Sequence, residues 1–150
     1  MEIFIVLILI LLFVILPGIR VINQYERGVV LTLGRYSGVK NPGLRLLIPY
    51  IQSMRKVDVR STPIDVPKQE VITKDNVTVS VDAIVYFKVI DSAKAILETT
   101  DYVYATSQFA QAALRDVTGN FELEDLLSKR DEISQQIKVI VDSETDKWGI

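Results

Sequence analysis

The chain has 150 residues, a formal net charge of −2 and an isoelectric point near 5.2. It contains neither cysteine nor histidine, which excludes disulfides, palmitoylation and Cys-zinc sites and removes the usual general base and the commonest transition-metal ligand. Nucleic acid binding would require a clustered basic face, which this composition does not suggest. We therefore expect one domain with an anchor, and no catalytic site, cofactor or metal site.

The first predicted element is a membrane segment. An uninterrupted apolar run extends from Ile3 to Leu16, but fourteen residues of helix reach only about 21 Å, short of a hydrocarbon core of roughly 30 Å. Extending the helix to Ile22 supplies the missing length, although it crosses a Pro-Gly pair and a charge. We assign residues 1–22 to this membrane anchor, with its contacts at Ile3, Phe4, Leu7, Leu11, Phe13, Leu16, Pro17, Gly18, Ile19 and Arg20.

Two interpretations of this segment stay open: a true span with Arg20 at the interface, or a re-entrant hairpin that turns at Pro17-Gly18. A cleaved signal peptide is disfavoured because Glu2, and no Lys or Arg, precedes the run and no small-residue cleavage motif follows it. A buried soluble helix is disfavoured because the run has no polar face. Cations follow the segment and none precedes it, so the positive-inside rule predicts that the body lies on the cytoplasmic side.

Strands and turns are predicted between Val21 and Val89. The longest strand, Val77 to Val89, places an apolar residue at each odd position as far as Phe87 and polar residues on part of the other face. Short runs joined by turns imply an antiparallel sheet with one solvated face. The predicted strands are 28–33, 44–48, 56–60, 64–66 and 77–89.

Helices are predicted after Ile90. Asp91-Ser92 can cap a short helix to Leu97, and Asp101 can cap a longer one that stops at Gly119. Another helical turn is predicted at 121–127, and Ser128–Asp131 resembles a capping box for a last helix that lies on the sheet. Strands followed by helices indicate an α+β fold with segregated helices. The predicted inward residues are Tyr102, Ala105, Phe109, Ala112, Ala113 and Val117 in the longer helix, and Ile133, Ile137, Ile140, Val141 and Trp148 in the last.

Several motifs occur together in one order along the chain: 25–30, 33–35, 41–44, 56–60, 69–83, 110–117, 130–133 and 146–150. In these motifs the chain resembles the stomatin/prohibitin/flotillin (SPFH, band 7) family, and most closely its stomatin-like (slipin) branch. The resemblance runs from about Val21 to the end and implies an SPFH/band 7 domain over residues 23–150. Pro17 falls where stomatins have a proline that bends a membrane hairpin.

The resemblance implies a non-catalytic scaffold that self-associates at the bilayer and organises lipids and membrane proteins. Partners would be membrane lipid, further copies of the chain, and an NfeD-type protein or a membrane-bound protease, with no nucleic acid and no cofactor. Family members continue past Trp148-Gly149-Ile150 with a strand and a long assembly helix, so we expect this chain either to be a truncated product or fragment, or to lack that assembly helix. The alternative function is a regulatory subunit of a membrane protease.

Two groups of residues are candidates for contacts. Tyr50, Ile51 and Met54, bordered by Arg55 and Lys56, are expected to form a membrane-facing loop that suits an anionic leaflet, with core packing as the alternative. The second group holds motif residues expected to contact neighbouring subunits: Glu26, Arg27, Gly28, Lys74, Asp75, Arg115, Asp116 and Arg130.

An enzyme is the distant alternative. Ser80 with Lys74 or Lys88 could form a Ser-Lys nucleophile, which needs no histidine. Aspartates at positions 58, 65 and 82 could act as paired carboxylates, although the exposed faces of strands explain them equally well.

Overall fold

The computed structural model describes residues 2–150, without the side chains of Glu2 and Val14. The chain divides into two compact units. Unit 1 ends at Arg60, and unit 2 comprises Ser61–Ile150.

Unit 1 consists of one helix followed by short antiparallel strands. Strand β1 pairs with β4, and β2 lies between β3 and β5. Two adjacent residues of β2, Val29 and Val30, are both buried, so this central strand is covered on both faces. The elements are α1 (Glu2–Ile15), a 3-10 turn (Leu16–Gly18), β1 (Ile19–Ile22), β2 (Glu26–Thr32), β3 (Arg35–Lys40), β4 (Gly43–Leu46) and β5 (Gln52–Asp58).

Unit 2 is a long β-hairpin covered on one face by helices. Its core is formed by Val66 of the hairpin with Ala110, Ala113, Leu114 and Val141 of two helices. The elements are β6 (Thr62–Ile72), β7 (Thr78–Phe87), α2 (Ser92–Leu97), α3 (Tyr102–Gly119), α4 (Leu123–Ser128), α5 (Arg130–Thr145) and a 3-10 turn (Asp146–Trp148).

The α+β class and the antiparallel pairing are confirmed. The strands form three separate small sheets rather than one, and β1 and β3 were not predicted. The alternation predicted for the longest strand is correct: even positions of β7 are exposed, whereas odd positions are half-buried or buried. Ile84 and Tyr86 are nevertheless exposed on the outer face, so that face is only partly polar.

Two of the three predicted helix starts are confirmed. The Asp91 carboxylate accepts hydrogen bonds from the amides of Ala93 and Lys94, and that of Asp101 accepts one from Tyr104. The capping box at Ser128 is wrong. This serine ends α4 and its Oγ donates to the Glu124 carbonyl at 2.8 Å, a local bond that competes with capping.

The predicted inward faces of the long helices are confirmed in part: Ala113 and Val117 of α3 and Ile133 and Val141 of α5 are buried. Ala112 and Ile140 are exposed, whereas Thr106 and Ala110 are buried. Small residues at these buried positions let α3 approach the hairpin closely. Phe109 does not enter the core but packs edge-on against Trp148, with ring centroids 5.4 Å apart.

Helix α1 ends before the predicted extension. Pro17 lies in the 3-10 turn, and Ile19–Ile22 pairs with β4 as a strand, so the helical extension to Ile22 is wrong. Proline has no amide hydrogen and its ring opposes a continuing helix. Within residues 2–150, no helix combines the length and the apolar composition needed to cross a bilayer.

Candidate functional site

The described side chains of α1 are apolar and exposed. From Ile3 to Phe13 every residue is 49–83% exposed. A helix that is apolar all round has no polar face to present to water. The helix therefore offers a large apolar surface that unit 1 itself does not bury.

The β1–β4 pair carries a second exposed apolar surface. Ile19 lies opposite Leu46, and Val21 lies opposite Leu44. Directly opposed residues of an antiparallel pair share one face of the sheet. All four side chains are 43–70% exposed, and we call them the apolar ribbon face.

A close backbone contact joins the end of α1 to this ribbon. The Leu47 amide donates a hydrogen bond of 2.8 Å to the carbonyl of Gly18. Gly18 is buried, and a Cβ built on it would overlap the carbonyl oxygen of Leu47 and lie 3.3 Å from Cδ of Pro49. Only glycine allows the two backbones to approach this closely.

The loop after β4 exposes three more large apolar side chains: Ile48, Tyr50 and Ile51. The Gln52 amide closes the loop by donating to the Ile48 carbonyl at 2.9 Å. The Ile51 carbonyl accepts a 2.8 Å hydrogen bond from the amide of Leu33, in the β2–β3 turn. The loop and this turn are therefore neighbours, and we call Leu33, Ile48, Tyr50 and Ile51 the apolar tip.

The structure separates Met54 from the other two residues of the predicted loop. Met54 is a half-buried residue of β5, and its Sδ lies 2.5 Å from the place a Cβ would occupy on Gly28. Met54 therefore fits the alternative interpretation, core packing, rather than a membrane-facing loop. Leu33 was not predicted, because its proximity to Ile51 depends on a contact between distant parts of the sequence.

The charge of the chain is unevenly divided. Residues 1–60 hold eight Lys and Arg against three Asp and Glu, a formal charge of +5, and residues 61–150 hold nine against sixteen, a charge of −7. Two of the three acids of unit 1 are already paired, Glu26 with Lys56 at 3.3 Å and Asp58 with Arg60 at 2.6 Å. Unit 1 therefore combines its exposed apolar surfaces with a surplus of cationic side chains. The net charge of −2 for the whole chain does not show this surplus.

The predicted subunit-contact residues of β2 make contacts inside unit 1. Glu26 forms its ion pair with Lys56, and Arg27 donates from Nη1 to the carbonyls of Gln24 and Glu26. Gly28 is buried beneath Met54. Each of the three residues thus has a contact within one chain, and contact with another subunit stays a prediction for them.

Lys74 and Asp75 tie the β6–β7 turn to the start of α4. The Lys74 amide donates to the Phe121 carbonyl at 3.0 Å, and Asp75 Oδ1 accepts from the Leu123 amide at 3.3 Å. The buried Thr73 also donates its hydroxyl to Asp75. This hydroxyl holds the pKa of the Asp75 carboxyl below its ordinary value.

We expect Asp75→Asn to destabilise unit 2 in a pH-dependent way. The pKa of the Asp75 carboxyl is lower in the folded state than in the unfolded state. The carboxylate therefore contributes its full amount to the free energy of unfolding when the pH is above the unfolded-state pKa. That contribution is lost as the pH falls through the folded-state pKa. The difference in urea midpoint between wild type and variant should therefore be constant above about pH 5 and should decrease towards zero at lower pH. The control Thr73→Ser keeps the hydroxyl, so its urea midpoint should vary with pH as that of the wild type does. If the difference between wild type and Asp75→Asn does not depend on pH, the Asp75 carboxylate does not stabilise unit 2 in this way.

The other predicted contact residues lie on the surface of unit 2. Arg115 donates from Nη2 to Oε1 of Gln69 at 3.3 Å, and Asp116 beside it is exposed. Arg130 is exposed at the start of α5, on an open groove of about 630 Å³ that β7, α3, α4 and α5 line. Their side chains are accessible, and contact with another subunit stays a prediction.

Two of the residues considered for catalysis, Ser80 and Lys88, are held apart by the strand. Ser80 lies on the outer face of β7 and Lys88 follows the end of that strand, so about 25 Å separates them along the chain. Asp58 is engaged by Arg60. In the part of the chain that the structure describes, no three His, Cys, Asp or Glu residues are grouped so that they could hold a metal ion.

The chain matches one family model and several known proteins over most of its length. Residues 20–150 match the family model described as SPFH domain / Band 7 family. An uncharacterized protein of Archaeoglobus fulgidus is 49% identical over 96% of this chain and 57% of its own length. A stomatin homolog of Pyrococcus abyssi is 45% identical over 98% of this chain and 56% of its own length. Stomatin of Mus musculus is 41% identical over 88% of this chain and 47% of its own length. The chain thus spans about half the length of these relatives.

Proposed function

Because the chain belongs to the SPFH domain / Band 7 family and is stomatin-like, we propose that it is a membrane-associated, non-catalytic scaffold that self-associates at the bilayer. The observation that carries the proposal is the apolar surface of unit 1, formed by α1, the apolar ribbon face and the apolar tip. Residues 1–22 would be the anchor and residues 23–150 the family domain. The body would lie on the cytoplasmic side.

The exposed apolar area of α1 alone would support stable attachment. Eleven large apolar side chains from Ile3 to Phe13 are about half exposed or more. Fully burying such a side chain contributes about 1.5–3 kcal/mol, so even about 1 kcal/mol from each exceeds the few kcal/mol that make a single lipid chain a marginal anchor. Monomeric soluble proteins rarely leave a contiguous apolar patch of this extent in water.

The cations of unit 1 suit an anionic leaflet. Arg20 lies opposite Arg45 on the other face of the ribbon, and Arg35, Lys40 and Arg55 are exposed. A Lys or Arg near an anionic surface contributes about 1 kcal/mol, and this attraction is screened by salt. Apolar burial would therefore supply the attachment, and the cations would select the lipid.

Flotation with vesicles tests the attachment and its lipid preference. We expect the full chain to float with both zwitterionic and anionic vesicles in 0.1 M salt, and with at least about tenfold greater affinity for the anionic ones. In 1 M salt the preference should disappear while flotation persists, because apolar burial is not screened. Recovery of the chain in the protein-only fraction under all conditions would refute the attachment.

Self-association and partner binding need separate measurements. Mass photometry of the chain in nanodiscs, over a range of protein-to-lipid ratios, should give particles with more than one copy. A uniform single copy would refute the scaffold. The alternative, a regulatory subunit of a membrane protease or of an NfeD-type protein, predicts instead that one such protein crosslinks at fixed stoichiometry.

A further inference from the structure

The face of the β1–β4 pair that lies opposite the apolar ribbon face carries two arginines directly across from each other. Arg20 of β1 pairs in register with Arg45 of β4. Directly opposed residues share one face of the sheet with their Cβ atoms about 5 Å apart, and like charges at such positions are destabilising. The pair therefore opposes the folding of unit 1 unless a group of opposite charge lies between the two guanidinium groups.

Both arginines interrupt a face that is otherwise buried. Ile22, two residues after Arg20, is 2% exposed, and Leu47, two residues after Arg45, is 5% exposed. Because alternate residues of a strand point to the same side, each arginine has a buried apolar side chain beside it. Arg20 itself is exposed and Arg45 is half-buried. The two charges thus lie at the edge of an apolar environment, where attraction to a counterion is stronger than in open water.

Within the described residues, no carboxylate neutralises either arginine. The Arg20 side chain takes part in no hydrogen bond or ion pair there. Arg45 donates only from Nε, to the carbonyl of Asn41 at 3.1 Å, so the donors of both its Nη groups stay free. The two described carboxylates of unit 1 are each engaged by another cation. The positive charge of the pair is therefore uncompensated by the described part of the chain.

We infer that Arg20 and Arg45 together bind one phosphate monoester group, as a discrete site on unit 1. A guanidinium group offers paired N–H donors that match two oxygens of a phosphate, and the free oxygens of a monoester can accept from both arginines. The charges also match, because a phosphate monoester is close to a dianion at neutral pH. The Nε bond to Asn41 orients the guanidinium of Arg45, which reduces the side-chain entropy lost on binding.

Two sources carry this group: a lipid with a terminal phosphate, such as phosphatidic acid, and a soluble phosphate ester. The lipid source rests on the proposed membrane attachment, and it fits the position of Arg20 two residues after Gly18, where the turn that follows α1 ends. The soluble source does not depend on that attachment. In both cases the site differs from the general attraction of cations to an anionic leaflet, because it saturates at one ligand per chain and depends on two particular residues.

Binding measurements on the full chain in phosphatidylcholine nanodiscs test the site and identify its source. In one arm glycerol 3-phosphate is titrated by calorimetry. In the other, phosphatidic acid is added to the discs, and native mass spectrometry counts the molecules retained on each chain. We expect saturation at one ligand per chain in at least one arm, weakened at least about tenfold in Arg20→Gln and in Arg45→Gln. Saturation by glycerol 3-phosphate indicates a soluble ester, and retention of phosphatidic acid alone indicates a lipid headgroup.

A matched control separates the site from general attraction. Arg35 of β3 is exposed and lies opposite Thr32, not another cation, so Arg35→Gln removes the same charge from unit 1 and should bind either ligand like the wild type. Equal loss in Arg35→Gln, or no saturation in either arm, overturns the inference. Flotation of the same samples is measured in parallel, so a chain that floats without a saturable site leaves the proposed function standing.

Stability without and with the ligand gives a second test, in which the two conditions have opposite signs. Without a phosphate monoester, Arg20→Gln should raise the urea midpoint, because it removes the repulsion between opposed charges. With glycerol 3-phosphate or phosphatidic acid, whichever saturates, the wild type should gain stability and the variant should not. Arg45→Lys keeps the charge but loses the paired donors, so it should bind more weakly than the wild type. If Arg20→Gln lowers the urea midpoint without the ligand, the arginine pair serves folding and the inference is wrong.

Discussion

Replacing both Leu7 and Leu11 of α1 by aspartate is expected to lower the partition of the full chain into vesicles by more than about a thousandfold. An aspartate in the middle of a membrane helix is unfavourable by roughly 2.5–3.5 kcal/mol, and two such changes add to about 5–7 kcal/mol when they act independently. The side chains are 61% and 56% exposed, so unit 1 should keep its fold. Flotation with zwitterionic vesicles measures the effect without repulsion from anionic lipid.

A matched control separates the loss of anchoring from the added charge. Leu127 of α4 and Val139 of α5 are 64% and 58% exposed, so the double variant Leu127→Asp, Val139→Asp makes the same chemical change at equal exposure in unit 2. It should float like the wild type. Equal loss in both variants would mean that negative charge, rather than the apolar surface of α1, decides attachment.

Features specified by neighbouring residues were predicted well. The caps at Asp91 and Asp101 need only a carboxylate two or three residues before a free amide. The alternation along β7 follows from the two-residue period of a strand. The failed capping box at Ser128 shows the limit of such signals, because its hydroxyl had a second local acceptor, the Glu124 carbonyl.

Features that depend on distant pairings were not predictable from local patterns. Leu33 joins the apolar tip only because its amide meets Ile51, and the apolar ribbon face exists only because Ile19–Ile22 pairs with Gly43–Leu46. Alone, each of these short strands is an apolar fragment with no indication of its partner. The division of charge between the units is different: the sequence contains it, but it becomes visible only when the boundary at Arg60 is known.

The link between α1 and the ribbon should be sensitive to a single methyl group. We expect Gly18→Ala to destabilise unit 1 by about 3 kcal/mol, the range of a severe steric substitution. The added Cβ would overlap the Leu47 carbonyl, which belongs to the backbone and cannot rotate away. The chain must then separate at this point and break the 2.8 Å bond from Leu47 to Gly18. Hydrogen exchange of the Leu47 amide and urea unfolding of the full chain in nanodiscs measure the loss.

Two other glycines show that the kind of neighbour decides the effect of an added methyl group. A Cβ on Gly28 would lie 2.5 Å from Met54 Sδ and 2.8 Å from Ile22 Cδ1, but both are ends of flexible side chains that can shift, methionine most easily. A Cβ on Gly119 would lie 3.7 Å from the Ile72 carbonyl oxygen, an ordinary contact, and alanine favours the helix by up to about 1 kcal/mol. The order of destabilisation should thus be Gly18→Ala, then Gly28→Ala, with Gly119→Ala neutral or stabilising. If Gly28→Ala costs as much as Gly18→Ala, rigid backbone contact at Gly18 is not what joins α1 to the ribbon.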